Sequence, residues 1–197
     1  SHKSCKKFKI GDEVILTWIK SSGKQTNGVS YRRNNEKINA GNVTTFSNYS
    51  VVSENRAVLK PKGLGFNEAM LFGCAIPTGA GMVMNEVNPS EDSSIIIIGL
   101  GGIGLSALIM SIALKVKNIE VIDTNKTKLD LARKLGVRHV YHGGIQSIKN
   151  DIFLDHPDGF DYCVESAGLA DTIELGFELI NSKSGHLYFA SHPPNDQ

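Results

Sequence analysis

Cysteine is scarce in this sequence. Cys5, Cys74 and Cys163 are the whole set, odd in number and far apart, which fits neither a disulfide framework nor a C-x-x-C metal knuckle. Reduced thiols are the expectation, and Cys163, inside the apolar stretch 160–164, reads as a small buried hydrophobe with no assigned role. Long apolar runs are missing too. The longest falls far short of a bilayer span, and residues 1–20 lack the apolar core of a signal peptide, so no membrane partner is expected and a cytoplasmic location is the default. Charge of one sign is also missing: 21 basic against 20 acidic residues give no field that would favour nucleic acid or an anionic surface. What remains is 197 residues, enough for one domain with a sizeable core, or for one domain plus part of another.

What is present is concentrated in residues 95–123. Ile95-Ile96-Ile97-Ile98 is a short apolar run suited to a strand buried on both faces, and residues 105–114 continue as a helix. Between them stands Gly99-Leu100-Gly101-Gly102-Ile103-Gly104, a G-x-G-x-x-G pattern. Glycines gather in many tight turns, so the pattern takes its meaning from its place between strand and helix. Gly99 permits the turn, Gly101 lets the backbone approach a pyrophosphate, and Gly104 lets the helix pack closely on the strand. The turn as a whole, Gly102 and Ile103 included, is the candidate phosphate site, because free N–H groups and the dipole at a helix N-terminus bind an anion without lysine or arginine. A second strand, 119–122, ends at Asp123, about twenty residues beyond the last glycine, where an acid accepts hydrogen bonds from a ribose. Its carboxylate would repel a 2′-phosphate, so NAD(H) is expected over NADP(H). The alternative is a glycine-rich turn followed by a strand-end aspartate that caps the next helix.

Upstream of this unit the pattern contains strands alone. Residues 12–19 and 43–52 read as strands, and the polar segment 20–42, with almost no large apolar residue, reads as an unstructured loop. Asn67 is expected to cap a helix starting at Glu68, and another helix should follow Pro77-Thr78. Downstream, strands and helices alternate: helix 126–135, strand 138–141, a short helix, strand 161–164, helix 170–180, strand 186–190. Such alternation gives a parallel sheet covered on both faces. The expected fold class is therefore α/β, a Rossmann-type doubly wound sheet. Five parallel strands are accounted for where the complete dinucleotide fold has six, so the chain is expected to be an internal portion of a longer protein, with an unpaired sheet edge that invites association.

Residues 71–81, Leu-Phe-Gly-Cys-Ala-Ile-Pro-Thr-Gly-Ala-Gly, followed by the glycine turn and then Asp123-Thr124-Asn125-Lys126-Thr127-Lys128, resemble the zinc-type alcohol dehydrogenases of the medium-chain dehydrogenase/reductase family. Gly11-Asp12-Glu13-Val14 and residues 46–52 extend the likeness over nearly the whole chain apart from the polar loop. The resemblance implies a division into residues 1–75, the β-rich end of a GroES-like catalytic domain, and residues 76–197, a Rossmann cofactor domain without its last strand. It implies an oxidoreductase that uses NAD and zinc on the CH–OH group of a small alcohol or aldehyde, as a homo-oligomer. By the same resemblance Cys74 is one of three ligands to a catalytic zinc, Thr78 packs by the nicotinamide, and Lys128 contacts the adenosine ribose. Plain alternatives are a buried helix cysteine and a solvated helix lysine. Ser166 and Ala167, after the fourth parallel strand, line the adenine and nicotinamide crevice, where small size is needed. His192 either faces the cofactor edge or lies on a surface loop. The family's Gly-His-Glu motif does not occur in the sequence, nor does its four-cysteine structural zinc site within 20–42. One thiolate cannot hold a catalytic zinc, so this chain by itself is expected to carry no zinc and to oxidise no alcohol. The rival reading is a non-catalytic nucleotide-binding protein.

Overall fold

The computed structural model describes residues 5–26, 30–38, 41–191 and 193. His192 and residues 27–29 of the polar segment lie outside the described residues. The chain forms two compact units, Ser1–Cys74 and Ala75–Gln197.

The first unit holds four short strands, β1 (Val14–Leu16), β2 (Tyr31–Arg33), β3 (Glu36–Ile38) and β4 (Ala57–Leu59), and a one-turn helix α1 (Phe66–Ala69). β1 pairs antiparallel with β4, Val14 opposite Leu59 and Leu16 opposite Ala57. Three sequence expectations fail here. Residues 43–52 form no strand: β1 has taken β4 as its partner, and Phe46 and Tyr49 of the alternating stretch stand 105% and 91% exposed. Alternation marks a strand only where one face has something to pack on. The polar segment is not wholly irregular, since β2 and β3 make a hairpin closed by Asn34 and Asn35 at φ 48° and 67°, the two positive values of a type I′ turn. Finally α1 is capped by extended Gly65, with no side-chain bond from Asn67.

Glu54 ties this unit together. Its carboxylate accepts the backbone N–H groups of Lys24 (2.8 Å), Lys7 (2.7 Å) and Lys6 (2.7 Å), and the Cys5 thiol at 3.4 Å. Those backbone donors, Lys24 first, pull its carboxyl from 4.5 down to about 2. A depressed carboxyl stabilises the fold above its unfolded pKa and loses that contribution as pH falls through the folded one. Emission from Trp18, the single tryptophan, is therefore expected to change between about pH 4.5 and 2, and Glu54→Gln should remove that acid limb. An unaltered limb in the variant would refute the assignment.

The second unit opens with α2 (Ala75–Gly81), which continues as one π-helical turn over Met82–Val87 and closes with Asn88 N donating to Val83 O. The helix starts at Ala75 and runs through Pro77 rather than following it. Proline is tolerated in a first turn, where its missing N–H has no helical partner. Then come β5 (Ser94–Ile98), α3 (Gly102–Ala113), β6 (Asn118–Ile122), α4 (Lys126–Lys134), β7 (His139–Tyr141), α5 (Ile145–Asp155), β8 (Tyr162–Glu165), α6 (Ala170–Leu179) and β9 (His186–Phe189). All five strands are parallel in the order β7-β6-β5-β8-β9.

The isoleucine run explains why β5 is central. Ile95 and Ile97 pack on one face with Ala107, Leu108, Leu129 and Val164; Ile96 and Ile98 pack on the other with Ile148, Ile152, Leu175 and Leu179. All four are at most 1% exposed, and each fully buried side chain of this kind stabilises by about 1.5–3 kcal/mol. A strand sealed on both faces requires helices on both sides, which the connections supply. Among the described residues no helix is long and apolar enough to cross a membrane.

Candidate functional site

Strand register assembles the site. Ile98 lies beside Ile122 of β6 and beside Glu165 of β8, so Gly99, Asp123 and Ser166 leave the carboxyl ends of three adjacent strands. The order reverses there, with β6 and β7 on one side of β5 and β8 and β9 on the other, and ligands of open α/β sheets bind in the crevice outside such a switch point. The crevice measures about 390 Å³ and brings together Gly99, Gly101, Asp123, Lys128, Ser166 and Ala167.

The glycine turn is built by close approach. Gly99 takes φ +86°, and a Cβ there would sit 3.0 Å from Ala167 N. A Cβ on buried Gly104 would strike the Gly99 carbonyl oxygen and stand 2.6 Å from Ser166 Oγ. Gly101 differs: nothing lies within 4 Å of an added Cβ, so the space beside it is open. The α3 ladder begins at the turn with Leu105 N donating to Gly101 O at 2.9 Å, which leaves the N–H groups of Gly102, Ile103 and Gly104 ahead of the ladder as helix N-termini do. Gly102 adjoins Ala75, and the Ile103 carbonyl lies so close to Gly79 of α2 that a Cβ on Gly79 would collide with it. The Cβ side of Gly102 and the carbonyl of Ile103 thus face α2, while their N–H groups are among those ahead of the ladder.

Asp123, 7% exposed, is held by its neighbours. Oδ2 accepts Leu100 N at 2.6 Å and Oδ1 accepts Asn125 N at 2.7 Å, while Lys128 Nζ stands 3.5 Å from Oδ2. The carboxylate is fixed at the wall and the half-exposed ammonium is beside it. The helix cap is separate: Asn125 Oδ1 accepts Thr127 N at 2.9 Å. Ser166 Oγ donates to Gly99 O at 2.8 Å, and Ser166 N to Ile98 O at 2.9 Å, which joins the two walls.

Sequence reasoning missed Gly143, Leu169 and Thr172, which also line the crevice, and Glu165 beneath it. Thr78 sits on α2 and does not line the crevice. Cys74 is exposed, at the end of a 3-10 turn in the first unit, so it is not a buried helix cysteine. Cys163 is buried; burial, then the charge of Glu165, raises its thiol far above the ordinary range, and it stays neutral. No three His, Cys, Asp or Glu among the described residues are grouped to hold a metal ion.

At the opposite end of the sheet a cavity of about 770 Å³ includes Glu120 and His156. His156 Nε2 lies 2.6 Å from Glu120 Oε1, and Tyr141 donates to Glu120 Oε2 at 2.8 Å. Burial first, then this bond, raises the Tyr141 phenol. The cavity is lined by the C-terminal ends of α3, α4 and α5, with Gly136 at φ 102° among them, and by no helix N-terminus.

Residues 102–196 match the zinc-binding dehydrogenase family. S-(hydroxymethyl)glutathione dehydrogenase of Escherichia coli (strain SMS-3-5 / SECEC) is 33% identical over 138 residues, 68% of this chain and 37% of that protein. The benzyl alcohol dehydrogenase structure from Acinetobacter calcoaceticus superposes with TM-score 0.67 at 27% identity, over 74% of this chain and 40% of its own. Zinc dependent alcohol dehydrogenase 2 from Streptococcus pneumonia gives TM-score 0.75 at 21% identity, over 94% of this chain and 55% of its own; at that identity the likeness speaks for the fold alone. The chain spans well under half the length of the first two.

Proposed function

We propose, from the membership of residues 102–196 in the zinc-binding dehydrogenase family, that the whole protein is an NAD-dependent, zinc-dependent oxidoreductase acting on the CH–OH group of a small alcohol or aldehyde. The observation that carries the reading is the meeting, at one switch-point crevice, of an open glycine turn, a helix N-terminus and a fixed carboxylate. The N–H groups from Gly102 to Gly104 would hold the pyrophosphate, Asp123 the adenosine ribose with Lys128 next to it, and Ser166 and Ala167 the crevice wall, with Thr78 near the nicotinamide. The bound nicotinamide supplies hydride transfer. The protein's part is to bind, orient and exclude water.

Zinc belongs to the reading as the metal of the whole protein, with Cys74 as one ligand. A catalytic zinc takes three protein ligands and an open position, and the described residues do not make that set. The same reading divides the chain into a catalytic part, residues 1–75, and a cofactor part, 76–197, and places the protein in the cytoplasm as a homo-oligomer. The balanced charge of 21 basic and 20 acidic residues supports the absence of nucleic-acid and anionic-membrane partners.

Cofactor choice provides the test. A fixed carboxylate opposes a 2′-phosphate, and calorimetry on the chain is expected to give NADH about tenfold or more tighter than NADPH, a difference of about 1.4 kcal/mol. Asp123→Ala should weaken NADH and narrow that ratio. Tighter NADPH binding, or an Asp123→Ala variant with unaltered NADH affinity, would contradict the reading.

A further inference from the structure

Glu165 ends β8 with its side chain completely buried, yet it takes part in none of the ion pairs among the described residues. Its charge is met by hydrogen-bond donors alone. Oε1 accepts Ala167 N at 2.8 Å, Gly168 N at 2.8 Å and Thr172 Oγ1 at 2.9 Å; Oε2 accepts Ser191 Oγ at 2.8 Å. The donors come from three places: the loop that follows β8, the first turn of α6, and the segment after β9. The first turn of a helix also carries the positive end of its dipole, which favours an anion there.

We infer that Glu165 is a positioning residue for the cofactor crevice, whose carboxylate sets the loop 166–169 at the height at which it forms the crevice wall. The inference rests on the dinucleotide reading given above. The loop is gripped from both sides. Above, Ser166 Oγ binds Gly99 O, and Ala167 lies so near Gly99 that an added Cβ would be 3.0 Å from its nitrogen. Below, the two successive N–H groups of Ala167 and Gly168 converge on one carboxylate oxygen. Gly168 has φ +79°, and a Cβ on it would be 3.0 Å from that of Ser191, so the loop is packed against the segment after β9 at a position that favours glycine. Without the acceptor beneath, the part-buried amides of Ala167 and Gly168 lose the partner that fixes them and turn to water or another acceptor. The loop must then rearrange, and Ala167 and Leu169 of the lining move with it.

Acceptor geometry, rather than charge, is what the loop needs. A glutamine amide can keep the carbonyl oxygen on Ala167, Gly168 and Thr172 while its NH2 faces Ser191 Oγ, which can turn to accept. A purely structural role predicts that NADH affinity follows stability; a positioning role predicts that the two separate. NADH affinity by calorimetry and thermal midpoint are therefore measured on the 197-residue chain and on Glu165→Ala, Glu165→Gln, Thr172→Val and Leu179→Ala. Leu179 is fully buried on α6 and does not line the crevice, so its variant loses stability without touching the loop. Expected are an NADH affinity about tenfold or more lower in Glu165→Ala, at least about threefold lower in Thr172→Val, and within about threefold of the parent in Glu165→Gln and Leu179→Ala. Amide exchange at Ala167 and Gly168 should accelerate in Glu165→Ala alone of the Glu165 pair. Parent-like affinity in Glu165→Ala, or in Thr172→Val should Glu165→Ala not fold, overturns the inference. So does an equal loss in Glu165→Gln, or in Leu179→Ala at matched midpoint. An unaltered chain that binds no NADH overturns the functional reading and this inference with it, whereas undifferentiated variants of a binding chain overturn this inference alone.

Discussion

Gly104→Ala is expected to lower the thermal midpoint by roughly 6–12 °C, from a loss of about 3 kcal/mol spread over a unit of this size. The added methyl would meet the Gly99 carbonyl oxygen and Ser166 Oγ, and neither can retreat. Gly99 N is bonded to Ile122 O at 2.8 Å and Ser166 N to Ile98 O at 2.9 Å, so both belong to the sheet ladder. Helix α3 would have to lift from β5, opening the core around Ala107 and Leu108, which are fully buried. Differential scanning calorimetry reads the effect directly. A shift below about 2 °C would mean that helix and sheet are not in this contact.

Gly101→Ala, three residues earlier, is expected to do the reverse. Beyond its own chain neighbours no described atom lies within 4 Å of the new methyl, so the fold should persist with only a helix-cap penalty of about 1 kcal/mol or less. The methyl instead occupies space that the pyrophosphate would need, and NADH affinity should fall about tenfold or more. Calorimetric titration beside a thermal melt separates the two glycines. A Gly101→Ala chain that binds NADH normally would show that the phosphates do not lie against this turn.

The second unit was legible from sequence because its elements are long and their burial is two-sided. Four consecutive isoleucines can only be satisfied by helices on both faces, and glycines at the turn mark where the backbones approach. Unit one was less legible. Its strands are three residues long, and which segment pairs with β1 is settled by a partner far along the chain rather than by alternation. Phe46 and Tyr49 alternated correctly with nothing to pack on. The β2–β3 hairpin did leave a signal, Asn34-Asn35 between Tyr31-Arg32-Arg33 and Glu36-Lys37-Ile38, since adjacent asparagines accept the left-handed conformation of a type I′ turn.

At the crevice, Gly99, Gly101, Asp123 and Lys128 were named from their spacing or the family resemblance, while Gly143, Leu169, Thr172 and, beneath them, Glu165, which have no spacing of their own, were missed. Glu165 has no motif of its own. Its clue is positional: it ends β8 as Asp123 follows β6, an acid at a strand terminus followed by the small residues Ser166, Ala167 and Gly168. A charge there is stable only where backbone N–H groups turn to meet it, and the tight loop that follows is what turns them.

Where NADH sits is the point on which the account stands, and amide chemical-shift mapping of the isotope-labelled chain tests it most directly. Titration with NADH is predicted to move the amides of Gly99 to Gly104, Asp123 and Ser166 to Gly168, all at the carboxyl ends of β5, β6 and β8. Shifts confined to the opposite end of the sheet, around Glu120, Arg138 and His156, or no shifts at saturating NADH, would contradict it.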